Sequence, residues 1–84
     1  MEAEAVLDEL LALLEYNGVS IRTEAMGGGG GGLCKIKDRQ VFFVDTEAQM
    51  ADMAAICAGA VREIVDLENI YIRPQIRDFL ERGG

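Results

Sequence analysis

Histidine and tryptophan are absent from this 84-residue sequence, which also has only one proline and two cysteines. Without histidine, Ser-His-Asp triads, Cys-His pairs and imidazole-based zinc sites are excluded. Cys34 and Cys57 are too few for a disulfide framework, and a reducing compartment suits them. We therefore expect a cytoplasmic protein that is not an enzyme and that uses no cofactor or metal.

Positive charge is also scarce, because eight Lys and Arg residues stand against 15 Asp and Glu, giving a net charge of −7. Nucleic acids and anionic membranes are bound by clustered Lys and Arg, so this balance argues against both as partners. No apolar run approaches the ~18 residues of a membrane span. The start Met1-Glu2-Ala3-Glu4 lacks the basic residues of a secretion signal.

Hydrophobic residues make up half of the chain, which is enough to build a core. A single domain covering residues 1–84 is expected from the length. Chains of this size often gain further stability by self-association. The expected partner is therefore a second copy of the chain or another protein.

Three helices are predicted from apolar residues that recur at three- and four-residue steps. The first spans residues 2–16 and stops at Gly18, which can take the left-handed conformation. The second begins around Thr46, which matches a capping box with Gln49. The third begins at Pro74, because proline suits the first turn of a helix.

Three strands lie between the first two helices. Alternation over residues 19–25 predicts a half-buried strand, and 33–37 with 40–45 predict a hairpin turning at Asp38-Arg39. One face of that hairpin carries Cys34, Ile36, Val41 and Phe43, and the other carries Leu33, Lys35, Phe42 and Val44. A slip by one residue would exchange the faces, and both faces of the last strand are apolar.

The predicted fold is α+β, in the order α-β-β-β-α-(β)-α. We expect a small antiparallel sheet of three strands, or of four if residues 70–72 add a short edge strand. The helices are expected on one face of the sheet. That face is predicted to be the one that carries Cys34, Ile36, Val41 and Phe43.

Six consecutive glycines, Gly27 to Gly32, join the first two strands. A dinucleotide fingerprint must open a helix, and a phosphate loop must end in Gly-Lys-Ser or Gly-Lys-Thr. Here the run leads into a strand at Leu33, so neither motif is present. Residues 26–32 are interpreted as a flexible loop. The alternative is a small-anion site formed by loop amides and nearby lysines, with the candidate residues Gly29, Gly30, Lys35 and Lys37.

Three carboxylates, Asp45, Glu47 and Asp52, cluster at the start of the second helix, where a cap and the helix dipole favour negative charge. Acid–base chemistry by a carboxylate pair is the alternative. Cys34 and Cys57 both fall on stripes that are predicted to face inward. We expect both cysteines to act as small core residues.

Three resemblances accompany these patterns. Residues 31–45 with 69–80 resemble short bacterial proteins of no assigned activity, over a block of 27–80, so no functional residue is carried over. Arg82-Gly83-Gly84 resembles the tails of ubiquitin-like sulfur carriers and modifiers, whose last carboxyl group is activated. The element order is similar to the core of small zinc peptidases. However, Ala-Ile-Cys-Ala-Gly-Ala in the second helix replaces their His-Glu-x-x-His, so that activity is not implied.

The leading functional hypothesis is a non-enzymatic module that forms homo-oligomers or binds another protein. Its interface is predicted on the uncovered sheet face or on the small-residue side of the second helix, with the candidate residues Leu33, Phe42, Val44, Ala55 and Gly59. An anion-binding protein that uses the glycine loop is the first alternative. A sulfur carrier that uses the terminal glycines is the second.

Overall fold

A computed structural model of the chain describes residues 2–82 and shows a small α+β fold. Three helices and three strands follow one another along the chain: α1 (Ala3–Tyr16), β1 (Ser20–Glu24), β2 (Gly32–Ile36), β3 (Arg39–Asp45), α2 (Met50–Ile64) and α3 (Pro74–Glu81). Two helix boundaries agree with their sequence signals. Gly18 follows α1 with a φ of +88°, and Pro74 opens α3.

The sheet is mixed, which corrects the prediction of an antiparallel sheet. Its strand order is β1-β3-β2, with β1 parallel and β2 antiparallel to the central β3. The central position suits β3 because its apolar residues on both faces are covered best between two neighbours. Within residues 2–82 the sheet has three strands, and residues 70–72 do not form the fourth.

The β2–β3 hairpin turns one residue earlier than predicted. Lys35 pairs with Gln40 and Ile36 with Arg39, so the turn residues are Lys37 and Asp38. Both have positive φ, 50° and 68°, as a type I′ turn requires. With the turn one residue earlier, each β2 residue pairs with the β3 residue two positions before the predicted one. Residues two apart in a strand share a face, so each predicted set of side chains remains together on one face.

The helices cover the opposite face of the sheet from the one predicted. Phe42 and Val44 are buried in the core, and Leu33 is half-buried against it. The first strand explains this choice, because Ile21 lies beside Phe42 while Arg22 lies beside Phe43. Covering the face of Phe43 would bury the Arg22 charge, and that costs more than leaving some apolar surface exposed.

The helices form their own layer on the sheet. Helices α1 and α2 pack against each other and against the inner face, whereas α3 packs on the two helices and not on the sheet. Within α2 the predicted apolar stripe is confirmed for Met53, Ala54, Cys57, Ala60 and Val61, which are all buried. None of the helices in residues 2–82 combines the length and apolar character needed to cross a membrane.

The start of α2 and the position of one cysteine also differ from the sequence-based predictions. Helix α2 begins at Met50 after the N-cap residue Gln49, without a side-chain cap, so the capping box at Thr46 is wrong. Cys57 is fully buried as predicted, but Cys34 is exposed. Cys34 is exposed because its side chain lies on the sheet face that the helices leave uncovered.

Candidate functional site

The glycine loop crosses the end of the central strand. Strands β1 and β2 lie on opposite sides of β3, so residues 25–31 must span two strand spacings, about 10 Å. Residue Glu24 pairs with Asp45 and Gly32 pairs with Phe43, which places both ends of the loop at the carboxyl end of β3. The loop therefore passes over Asp45.

Asp45 is the one buried charged side chain among the described residues, with 1% of its surface exposed. Its Oδ1 accepts hydrogen bonds from the backbone N–H groups of Met26 at 3.0 Å and Glu47 at 2.9 Å. Its Oδ2 accepts one from the N–H of Gly30 at 3.0 Å. The carboxylate thus joins both ends of the loop to Glu47, two residues after the end of β3.

These hydrogen bonds determine the charge state of Asp45. Desolvation by burial acts to raise the pKa of its carboxyl group, but the backbone N–H groups of Glu47, Met26, Gly30 and Gly28 act against it. The net result is a pKa below the ordinary value of 3.8. Asp45 is therefore held as a carboxylate that accepts hydrogen bonds, and it is poorly suited to donate a proton near neutral pH.

Glu47 makes a second contact with the loop, because its Oε1 accepts a hydrogen bond from the N–H of Gly27 at 2.6 Å. The prediction that Asp45 and Glu47 cap the second helix is therefore wrong, since their side chains hold the glycine loop instead. Asp52 does lie in the first turn of α2, where the helix dipole favours its charge.

Gly31 lies closest to the strand that the loop crosses. A Cβ atom at this position would stand 1.7 Å from the carbonyl oxygen of Phe43 and 2.5 Å from its carbonyl carbon. Only glycine fits such an approach between two backbones. At Gly29, by contrast, a Cβ would meet nothing within 4 Å. The crossing thus requires glycine at residue 31 and leaves open space at residue 29, so individual glycines of the run have different roles.

The candidate anion site does not assemble in this fold. The amides of Met26, Gly27 and Gly30 already donate to carboxylates of the same chain, whose charge repels another anion. Strand β2 runs away from the loop, and five residues at about 3.3 Å each place Lys37 roughly 16 Å beyond Gly32. Gly29 and Gly30 therefore lie at one end of the sheet, and Lys37 lies in the turn at the other.

The surface of residues 2–82 includes two shallow cavities with distinct linings. One has a volume of about 360 Å³ between the glycine loop and α2, and it is lined by Gly28, Gly29, Gly30, Ala48, Asp52, Ala55 and Ile56. The other has about 240 Å³ between α1 and the segment before α3, where Arg73 forms a 2.8 Å ion pair with Glu9 beside the exposed Tyr71. Among residues 2–82 no three His, Cys, Asp or Glu side chains converge to hold a metal ion.

The sheet face away from the helices, called the outer face here, combines apolar and charged side chains. The strand pairing places these side chains on it: Ser20, Arg22, Glu24, Cys34, Ile36, Arg39, Val41 and Phe43. Arg22 lies over the ring of Phe43 at 5.7 Å and forms a 2.9 Å ion pair with Glu24. Cys34 and Ile36 are exposed, and none of the helices in the described chain lies over them.

The predicted interface residues separate into two groups. Leu33, Phe42 and Val44 belong to the covered inner face, so the prediction that they form an uncovered surface is wrong. Ala55 and Gly59 are half-buried on α2, and Ala55 lines the cavity beside the glycine loop. The uncovered face that was expected does exist, but Cys34, Ile36 and Phe43 form it.

Sequence reasoning missed the role of Asp45, which decides how the glycine loop is held. The available signal was a carboxylate directly after four apolar strand residues, together with a glycine run long enough to reach that carboxylate.

Gly83 and Gly84, on which the sulfur-carrier hypothesis depends, lie outside the described residues. Arg82 precedes them and forms a 2.9 Å ion pair with Asp78.

Comparison with family models, curated proteins and solved structures found no match to this chain.

Proposed function

We propose that this protein is a non-enzymatic module that associates with a second copy of itself through the outer face of its sheet. One observation carries the proposal: Cys34, Ile36 and the half-buried Phe43 lie on a sheet face that no helix of residues 2–82 covers. An antiparallel or mixed sheet can face water on one side, but that side is usually polar. Here its centre is apolar.

The hydrophobic effect favours covering this surface. Full burial of a large apolar side chain is worth roughly 1.5–3 kcal/mol, and Ile36 is still 42% exposed. The outer face measures roughly 14 by 24 Å from strand spacing and the length of β3. A standard interface buries about 800 Å² on each partner, so a stable contact must also include residues around this face.

The non-enzymatic part of the proposal rests on the chemistry of the side chains. Histidine, the most common general acid or base, is absent from the sequence. The one buried carboxylate of the described chain, Asp45, is engaged by three backbone amides that hold it ionised. Such a group serves to organise the loop and has little capacity to transfer protons.

Sedimentation equilibrium of the purified protein from low to high micromolar concentration tests this proposal. We expect the average mass to approach that of a dimer as concentration rises. Replacing Cys34 with Glu places a charge on the outer face and should weaken the association. The matched control is Ala51→Glu, on the exposed side of α2. A monomeric wild-type protein at every concentration would contradict the proposal, as would equal effects of the two variants.

A further inference from the structure

Most Lys and Arg side chains of this protein interact with an acceptor group of the same chain. Five of its eight Lys and Arg side chains form an ion pair with a carboxylate or donate a hydrogen bond to a backbone carbonyl. These contacts are Arg22–Glu24, Arg73–Glu9, Arg82–Asp78, Arg62 to the carbonyl oxygen of Leu80, and Arg77 to that of Leu67. The other three cations lie close together.

The unmatched cations are all on residues 35–39, called the hairpin tip here. Lys35, Lys37 and Arg39 are exposed, and their side chains form no ion pair with the rest of the described chain. Ile36, which is 42% exposed, shares the outer face with Arg39 and directly precedes Lys37 in the turn. Lys35 lies on the other face of the hairpin, and Asp38 adds one negative charge in the turn. An apolar side chain beside two free cations fits a partner surface with an apolar residue among carboxylates.

The same chain carries such a surface on α1. Glu4, Asp8, Leu11 and Glu15 are separated by steps of four, three and four residues, so they form one stripe along the helix, called the acidic stripe here. Its three carboxylates are exposed and have no ion-pair partner in the described chain, and Leu11 is half-buried between them. From Glu4 to Glu15 the stripe is about 17 Å long.

We propose that the hairpin tip of one copy docks on the acidic stripe of a second copy, with Ile36 against Leu11 and the cations against the carboxylates. This inference rests on the self-association proposed above and adds two surfaces to it, the hairpin tip at one end of the sheet and the acidic stripe on the helix layer. Each copy carries one tip and one stripe, so a two-fold axis forms the contact twice and closes the dimer. The charge pairs supply orientation and specificity, and salt screens them.

Complementary charge reversal tests the docking directly. The tip variant carries Lys37→Glu and Arg39→Glu, and the stripe variant carries Asp8→Lys and Glu15→Lys. Each variant alone opposes like charges, so its dimer should weaken by roughly tenfold or more in sedimentation at low salt. Mixing the two variants in equal amounts opposes unlike charges at both contacts. The mixture should therefore recover the dimer mass.

A second pair of variants separates docking from net charge. Lys37→Gln with Arg39→Gln removes two positive charges, and Gln49→Glu with Gln75→Glu adds two negative charges, so each pair makes the net charge of −7 more negative by two. Only the first pair changes the hairpin tip, so only that pair should weaken the dimer clearly. All these positions are exposed, and circular dichroism with thermal unfolding will verify the fold of each variant. If a charge-reversed variant fails to fold, the comparison of the Lys37→Gln and Arg39→Gln pair with its control still tests the docking.

The outcomes distinguish this inference from the proposed function. If the wild-type protein dimerises but the tip variants leave the dimer unchanged, the docking is overturned and the self-association stands. The docking is equally overturned if the folded tip and stripe variants remain monomeric when they are mixed. If the wild-type protein is monomeric at low salt and high concentration, the proposed function fails, and the docking fails with it.

Discussion

The backbone of Gly31 lies against the backbone of Phe43, close enough that a Cβ on Gly31 would stand 1.7 Å from the Phe43 carbonyl oxygen. This contact seats the end of the glycine loop on the central strand, one residue before β2 begins at Gly32. The loop can therefore cross the sheet and enter β2 only if residue 31 has no side chain.

Replacing Gly31 with Ala should lower the free energy of unfolding by about 3 kcal/mol, because the loop must separate from β3 to make room for the new methyl group. Gly29→Ala is the matched control. It has open space and no positive φ, so it should be neutral or stabilising by up to about 1 kcal/mol. Urea unfolding of both variants measures the difference, and equal stabilities would contradict the close approach.

Asp45→Asn should loosen the glycine loop. The amide supplies one acceptor oxygen where the carboxylate supplies two, and its NH₂ group would face a backbone N–H. We expect a clearly lower Tm and faster hydrogen exchange at the amides of Met26 and Gly30. The control is Asp52→Asn, on an exposed aspartate near the same loop. If the amides of Met26 and Gly30 exchange equally slowly in the two variants, the proposed role of Asp45 is incorrect.

Stability should depend on pH through Asp45. Its pKa in the folded protein is lowered from 3.8, so the stability that it contributes is fully present above pH 3.8 and is lost as pH falls through the lower folded value. The Asp45→Asn variant has no ionisable group at this position. The difference in the free energy of unfolding between wild type and Asp45→Asn should therefore narrow below pH 3.8. A difference that stays constant down to the acid limit would be inconsistent with a lowered pKa.

The two cysteines should react at very different rates. Cys34 is exposed on the outer face, whereas Cys57 is fully buried and burial raises the pKa of its thiol to about 12. Because the thiolate is the reactive form, a thiol reagent should label one cysteine in the native protein at neutral pH, at a concentration low enough to keep it monomeric, and both cysteines after denaturation. Peptide mapping identifies the labelled residue. Rapid native labelling of Cys57 would argue against the buried face described here.

Truncation of the two adjacent phenylalanines should reduce stability by clearly different amounts. Phe42 is fully buried under the helices, so Phe42→Ala should cost about 3–5 kcal/mol of stability. Phe43 is half-buried on the outer face beneath Arg22, and Phe43→Ala should cost roughly 1–2 kcal/mol. Chemical denaturation compares the two. A larger loss at Phe43 would mean that the helices cover the other face.

The sequence contained enough information to locate the helices and the hairpin. Helix α1 and the buried side of α2 follow from apolar residues at helical spacing, which is a local property of the chain. The stop at Gly18 and the start at Pro74 follow from the backbone preferences of single residues. The hairpin was also found, but its turn was misplaced by one residue because Asp38-Arg39 is a weak turn signal.

Strand order, the covered face and the role of Asp45 could be decided only by the tertiary structure. Strand β3 is apolar on both sides, so its own pattern cannot say which side the helices cover. Pairing with β1 decides this, because it brings Ile21 to one face and Arg22 to the other. Asp45 likewise meets the amides of Met26 and Gly30 only when the glycine loop crosses the sheet. Such contacts join residues distant in sequence, and local patterns do not encode them.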